Sequence, residues 1–151
     1  MTAKLVIGFD HGGIVLKPEI IKALKELRVP FVDLGTTSTE SVDYPDFAAA
    51  VAAKVSSGEV TAGVLACGTG LGMSIVANKF KGVRAAVAFD TFTAQMAKEH
   101  NNANVLCLGG RVLKPEAVAG ILKAWLNATF AGDRHSRRVE KIKIIEKNNL
   151  R

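Results

Sequence analysis

Short apolar runs alternate with segments of helical period along this chain, and that alternation leaves few folds open. Leu5–Phe9, Phe31–Leu34, Gly63–Ala66, Val83–Ala88 and Val105–Leu108 read as strands. Leu16, Ile20, Ile21, Leu24 and Leu27 mark one face of a first helix, with Pro18 in its first turn. Phe47, Val51 and Val55 line a second helix over 45–57, and a short third follows the glycines at 68–72. Asp90 suits the N-cap of a fourth, which ends near His100. Val118, Leu122, Trp125 and Leu126 form the inner face of a fifth over 115–129. A basic final helix over about 136–148 carries the stripe Val139, Ile142 and Ile145. Strands that alternate with helices in this way pair in parallel, through helical crossovers. The expected fold is a three-layer α/β/α sandwich around a five-stranded parallel sheet, one domain over 1–151.

Composition removes several classes of function. With 151 residues, 48% of them apolar and 23% charged, the chain has an ordinary globular balance. No apolar run reaches the roughly 18 residues of a membrane span, so a soluble, cytoplasmic protein is expected. Cys67 and Cys107 are expected as free thiols in a reducing compartment. No Cys or His pair has zinc-like spacing, so no metal is expected. The net charge of +6 is concentrated after residue 133, where seven Lys and Arg face two Glu. A solvated basic helix accounts for such a tail, as does a small anionic ligand or a nucleic acid.

In a parallel α/β sheet, ligands bind at the carboxyl ends of the strands. Asp10-His11-Gly12-Gly13, Gly35-Thr36-Thr37, Cys67 to Gly72, Asp90-Thr91 and Gly109-Gly110-Arg111 fall there. The run Cys67-Gly68-Thr69-Gly70-Leu71-Gly72-Met73-Ser74 lies between a strand and a helix. Glycines in that position let backbone N–H groups approach an anion, or simply allow close packing. The run has neither a Walker lysine nor a full dinucleotide pattern. Cys67 opens it at a helix N-terminus, a setting that suits a reactive thiol as well as a structural one. Asp10 and His11 read as a turn cap or as contacts to a sugar hydroxyl and a phosphate oxygen. Asp43-Tyr44-Pro45 starts a helix, with Tyr44 near the same edge. His100 belongs at the opposite, amino edge, and reaches Cys67 only if a second copy apposes the two edges. Arg134 and Arg138 are four residues apart, so both guanidinium groups point one way, as a phosphate requires.

Five segments, in order, resemble the ribose-5-phosphate isomerase B family, whose wider circle includes the galactose-6-phosphate isomerase subunits. They are 8–13 (GFDHGG), 40–46 (ESVDYPD), 67–74 (CGTGLGMS), 100–106 (HNNANVL) and 134–139 (RHSRRV). The resemblance runs from the first strand to about Ile142. It implies a Rossmann-like fold, no metal or cofactor, and a homodimer, alone or paired into a tetramer, with sites shared between subunits. It implies conversion of ribose 5-phosphate to ribulose 5-phosphate, with Cys67 as the base. Backbone N–H groups around Gly68, Gly70, Leu71 and Gly72 would hold the enediolate, with Ser74 in the same run. His100 and Asp10 would assist ring opening, with Thr69 and Asn101 nearby. His11, Arg134, Arg138 and Arg111 would bind the phosphate, and Tyr44 would line the pocket. One branch of the family carries a glutamate at the position of Met73, and methionine cannot act as a base. A six-carbon sugar phosphate is the alternative substrate. Nucleic acid is not an expected partner, because no basic stripe is interleaved with aromatics.

Overall fold

The computed structural model describes residues 4–150, so the first three residues and Arg151, counted in the basic tail, lie outside it. Five strands, β1 (Leu5–Phe9), β2 (Phe31–Asp33), β3 (Ala62–Cys67), β4 (Ala85–Val87) and β5 (Val105–Gly109), form one sheet. They are all parallel and run in the order β2-β1-β3-β5-β4. The helices are α1 (Lys17–Glu26), α2 (Tyr44–Ser56), α3 (Leu71–Ala77), α4 (Thr91–Glu99), α5 (Pro115–Asn127) and α6 (Arg134–Asn149). A 3-10 turn, Ile14–Leu16, precedes α1. This is the three-layer sandwich the alternation implied, in the Rossmann-like form the resemblance implied.

The strand order decides which face each helix covers. A right-handed crossover places its helix on one face when the chain moves one way along the sheet, and on the other face when it moves back. The moves from β2 to β3 and from β3 to β4 share a direction, and α2 and α3 pack together over Val6, Leu65, Val105 and Cys107. The moves from β1 to β2 and from β4 to β5 go the other way. Accordingly α1 and α4, joined by α5, cover Leu5, Ile7, Phe9, Val64, Leu106 and Leu108. Neighbouring strand residues therefore feed opposite cores, as the two-residue period of a strand demands. Trp125, fully buried on the α5 side, donates its indole N–H to Ala103 O at 3.3 Å.

Two boundaries differ from expectation for visible reasons. The fourth strand is shorter than 83–88, and beside it the Asn78 side chain pairs with Ala85 through both its amide nitrogen (3.0 Å) and its oxygen (2.9 Å). That amide caps the outer edge of the sheet where a further strand would pair. The last helix begins at Arg134 instead of Ser136, because Gly132 (φ 71°) and Asp133 (φ 48°) turn the chain sharply just before it. Of its expected stripe only Val139 is buried, while Ile142 and Ile145 stay largely exposed. Among the described residues no helix is long and apolar enough to cross a membrane.

Candidate active site

From β1 the chain moves first to β2 on one side, and later to β3 on the other. The crevice beyond the ends of β1 and β3 is therefore the switch point of the sheet, where an open α/β fold leaves room for a ligand. A cavity of about 280 Å³ lies there. Asp10, His11 and Gly12 from the end of β1 line one wall, and Cys67, Gly68, Thr69 and Gly72 from the end of β3 line another. Tyr44 from α2 and Arg111 from beyond β5 complete it.

Backbone packed against backbone builds this edge. Gly110 N donates to Cys67 O (2.8 Å) and Arg111 N to Gly68 O (2.9 Å), tying the β5 turn to the glycine loop. A Cβ on Gly13 would lie 2.0 Å from Ala66 O, and one on Gly110 would lie 2.1 Å from Gly12 O. Only glycine permits three strand ends to meet so closely. The Arg111 guanidinium lies over Gly68, with a nitrogen 3.0 Å from where a Cβ would stand.

Each polar side chain is held by a specific contact. Asp10, 5% exposed, accepts from Gly12 N (2.8 Å) and Gly13 N (2.9 Å) through Oδ1 alone. The turn-cap and ligand readings of Asp10 are thus compatible, since one oxygen caps while the residue still lines the cavity. His11 Nδ1 accepts from Val42 N at 3.1 Å. That bond needs a lone pair on Nδ1, which in the neutral ring puts the proton on Nε2 as a donor. Cys67, 5% exposed, accepts at Sγ from Gly70 N at 3.1 Å. Gly70 holds φ +81° as the N-cap of α3, which aims its N–H back at the sulfur. The other thiol, Cys107, is fully buried, and burial, with Cys67 nearby, pushes it far up from the ordinary range.

Gly70, Leu71 and Ser74 do not line the cavity wall. The Leu71 side chain is exposed, Leu71 N donates to Thr69 Oγ1 (3.3 Å), and Ser74 Oγ donates to Leu71 O (2.7 Å). Asp43 is the N-cap of α2, although its side chain makes no capping bond. Asp90 does cap α4, accepting from Thr93 N at 2.7 Å, and this bond holds its carboxyl below the usual range.

The remaining candidates gather elsewhere. Helix α4 starts where β4 ends and returns to where β5 begins, so its C-cap His100 sits at the amino edge of the sheet. There His100 stacks on His135, with ring centroids 4.1 Å apart and planes 13° apart. Burial, then His100, Arg134 and Arg138, lower the affinity of the His135 imidazole for a proton. Asn101 lines a second groove of about 430 Å³, between β4 and α6, with Arg84, Ile142 and Ile145. That groove is larger, yet the thiol and the glycine loop belong to the smaller cavity. The sequence reading missed Val42 and His135 as parts of this arrangement. His135 lies four residues before Val139, so extending the apolar stripe back one turn would have marked it as inward-facing. Among the described residues no group of three His, Cys, Asp or Glu is placed to hold a metal ion.

Fold and cavity define an α/β protein built to hold a small polar molecule beside a thiol at the sheet's switch point. Residues 5–142 match the family described as Ribose/Galactose Isomerase. Ribose-5-phosphate isomerase B of Escherichia coli (strain K12) is 48% identical over 143 residues, which is 95% of this chain and 96% of that protein. The solved structure of Clostridium thermocellum ribose-5-phosphate isomerase B is 51% identical, with a TM-score of 0.92, over 95% of this chain and 97% of that one. Ribose-5-phosphate isomerase B from Mycoplasma genitalium, solved with bound ribulose-5-phosphate, is 43% identical with a TM-score of 0.91 over 96% and 97% of the two chains. This chain belongs to the ribose/galactose isomerase family.

Proposed function

We propose that the protein interconverts ribose 5-phosphate and ribulose 5-phosphate by proton transfer through an enediolate. The observation that carries this reading is the Gly70 N–H directed at Cys67 Sγ inside the switch-point cavity. It accords with relatives named for that reaction, one of them holding ribulose-5-phosphate.

A hydrogen beside a carbonyl is a weak acid, so a base and a means of holding the developing oxyanion are both needed. Cys67, as thiolate, takes the proton from C2, and the electron pair moves through C1 to the carbonyl oxygen. Backbone N–H groups of the glycine loop bind that oxygen. Return of the proton to C1, and of the C2 hydroxyl proton to O1, completes the ketose. Thr69 lies on the same wall for the hydroxyl exchange. His11 Nε2–H and Arg111 bind phosphate. Asp10 faces the sugar ring.

His100, Asn101, Arg134 and Arg138 lie at the amino edge, so this reading requires a homodimer in which one copy's amino edge closes the other's cavity. His100 then assists ring opening, and the two arginines complete the phosphate clamp.

The test is turnover of ribose 5-phosphate by metal-stripped protein in deuterated water, with Cys67→Ala and His100→Asn alone and mixed. Deuterium should enter the sugar with wild type, and each variant alone should be nearly inactive. Remixing through unfolded chains should restore about a quarter of the wild-type sites, since half the dimers are mixed and each holds one intact site. No recovery on mixing would overturn the shared site. Full activity of Cys67→Ala would overturn the base.

A further inference from the structure

His135 is 7% exposed, although it lies in the most basic stretch of the chain, between the exposed Arg134 and Ser136. Neither core cluster includes it. A buried imidazole in such a segment calls for a specific contact, and its partner is the face of His100.

Two unusual backbone features bring these rings together. After His100 the chain turns through Asn102 at φ 48°, whose carbonyl accepts from Arg84 Nε at 3.0 Å. Before His135 it turns through Gly132 and Asp133, both at positive φ. Between the two turns, Ala131 N donates to Glu99 O at 3.0 Å, which pins the α5–α6 connection to the end of α4. Asp133 and Asn102 are strained positions for side-chain-bearing residues, and such strain persists where the surroundings over-determine it.

We propose that His135 is a positioning residue for His100, a flat platform that fixes the plane of the His100 ring and directs its nitrogens toward the cavity of a second copy. This rests on the reading of His100 as the ring-opening group. A helix-terminal histidine would otherwise sample several rotamers, and proton transfer requires a donor held within hydrogen-bond reach. Burial, then His100, Arg134 and Arg138, disfavour a proton on His135, with Asp133 opposing them. A neutral platform can lie against His100 whether or not His100 carries its own proton.

The two sugars separate this role from a merely structural one. Ribose 5-phosphate is a furanose, closed through O4, and must open before C2 can lose its proton. Ribulose 5-phosphate cannot close a furanose, because O5 carries the phosphate. Exchange of its C1 hydrogen with solvent therefore reads the Cys67 step without ring opening. His135→Leu fills the space without a flat face, and His135→Phe keeps the face without a titrating group. His135→Leu is expected to slow ribose 5-phosphate turnover about tenfold, the scale of a lost aromatic pair. His135→Phe should stay within about threefold of wild type, on the same scale. Solvent exchange into ribulose 5-phosphate should be unchanged in both. Equal losses in both assays, an unaffected His135→Leu, or a His135→Phe as slow as His135→Leu each overturn the proposal. His135→Gln is a second variant without a stacking face, should His135→Leu not fold. His100→Asn run alongside separates the two ideas: if it turns over ribose 5-phosphate normally, the reading of His100 fails. If it is slow while His135→Leu is normal, only the platform fails.

Discussion

The backbone N–H of Gly70 stands 3.1 Å from Cys67 Sγ and donates to it from within the turn that opens α3. The contact depends on a conformation that side chains resist, since Gly70 sits at φ +81° with Leu108 backbone atoms 3.1–3.2 Å from where a Cβ would be. Alanine in a left-handed conformation costs roughly 1–2 kcal/mol. Relief of that strain would swing the N–H away from sulfur. Gly70→Ala is expected to lower kcat at least about tenfold, with KM little changed, as for a weakened oxyanion donor. Gly58 has φ +78° with nothing within 4 Å, so Gly58→Ala should lower Tm while leaving kcat intact. Equal kcat in wild type and Gly70→Ala would separate the turn from the chemistry.

The two thiols should behave as different species toward an alkylating reagent. Cys107 is fully buried, and burial, reinforced by Cys67, opposes its ionisation. Cys67 borders the cavity. Native protein treated with iodoacetamide is expected to take one label, at Cys67, with a second only after unfolding. A sugar phosphate should slow the first label and leave the second unaffected. Labelling of Cys107 in the native state would contradict its burial.

Much of this was legible in the chain. The alternation of apolar runs marked all five strands, because a buried parallel strand is short and apolar throughout, as the fully buried β1 and β5 are. Cys67, Asp10 and His11 could be placed on the cavity wall from sequence because strand ends in this topology border the switch-point crevice. The swap of β4 and β5 was not legible, since periodicity carries no information on neighbour order. Val42 escaped notice because it contributes a backbone N–H to His11, which any residue could supply. Ser74 was grouped with its motif, whereas its hydroxyl is satisfied within its own helix.

Arg84 supports the His100 turn from behind, and its loss should be felt there. It is half-buried, its Nε donates to Asn102 O at 3.0 Å, and its backbone N–H donates to Asn104 Oδ1 at 2.8 Å. Arg84→Met would keep much of the side-chain bulk and leave the Asn102 carbonyl without its donor. A stability loss of about 1–3 kcal/mol is expected, as for an orphaned polar group. Urea unfolding measures it, and a change within error would mean that water replaces the guanidinium.

Acid should weaken the fold through His135. Burial lowers its proton affinity most, followed by His100, Arg134 and Arg138, against the pull of Asp133. With its pKa in the folded chain below the ordinary 6.5, the unfolded chain binds this proton first as pH falls. Stability from this residue is therefore intact above pH 6.5 and declines as pH drops below that value, since the side taking up more protons is favoured. The urea midpoint should be lower at about pH 5.5 than at about pH 8, and part of that difference should vanish in His135→Phe, which cannot titrate. If wild type and His135→Phe lose stability in parallel across this window, the acid sensitivity belongs to other groups.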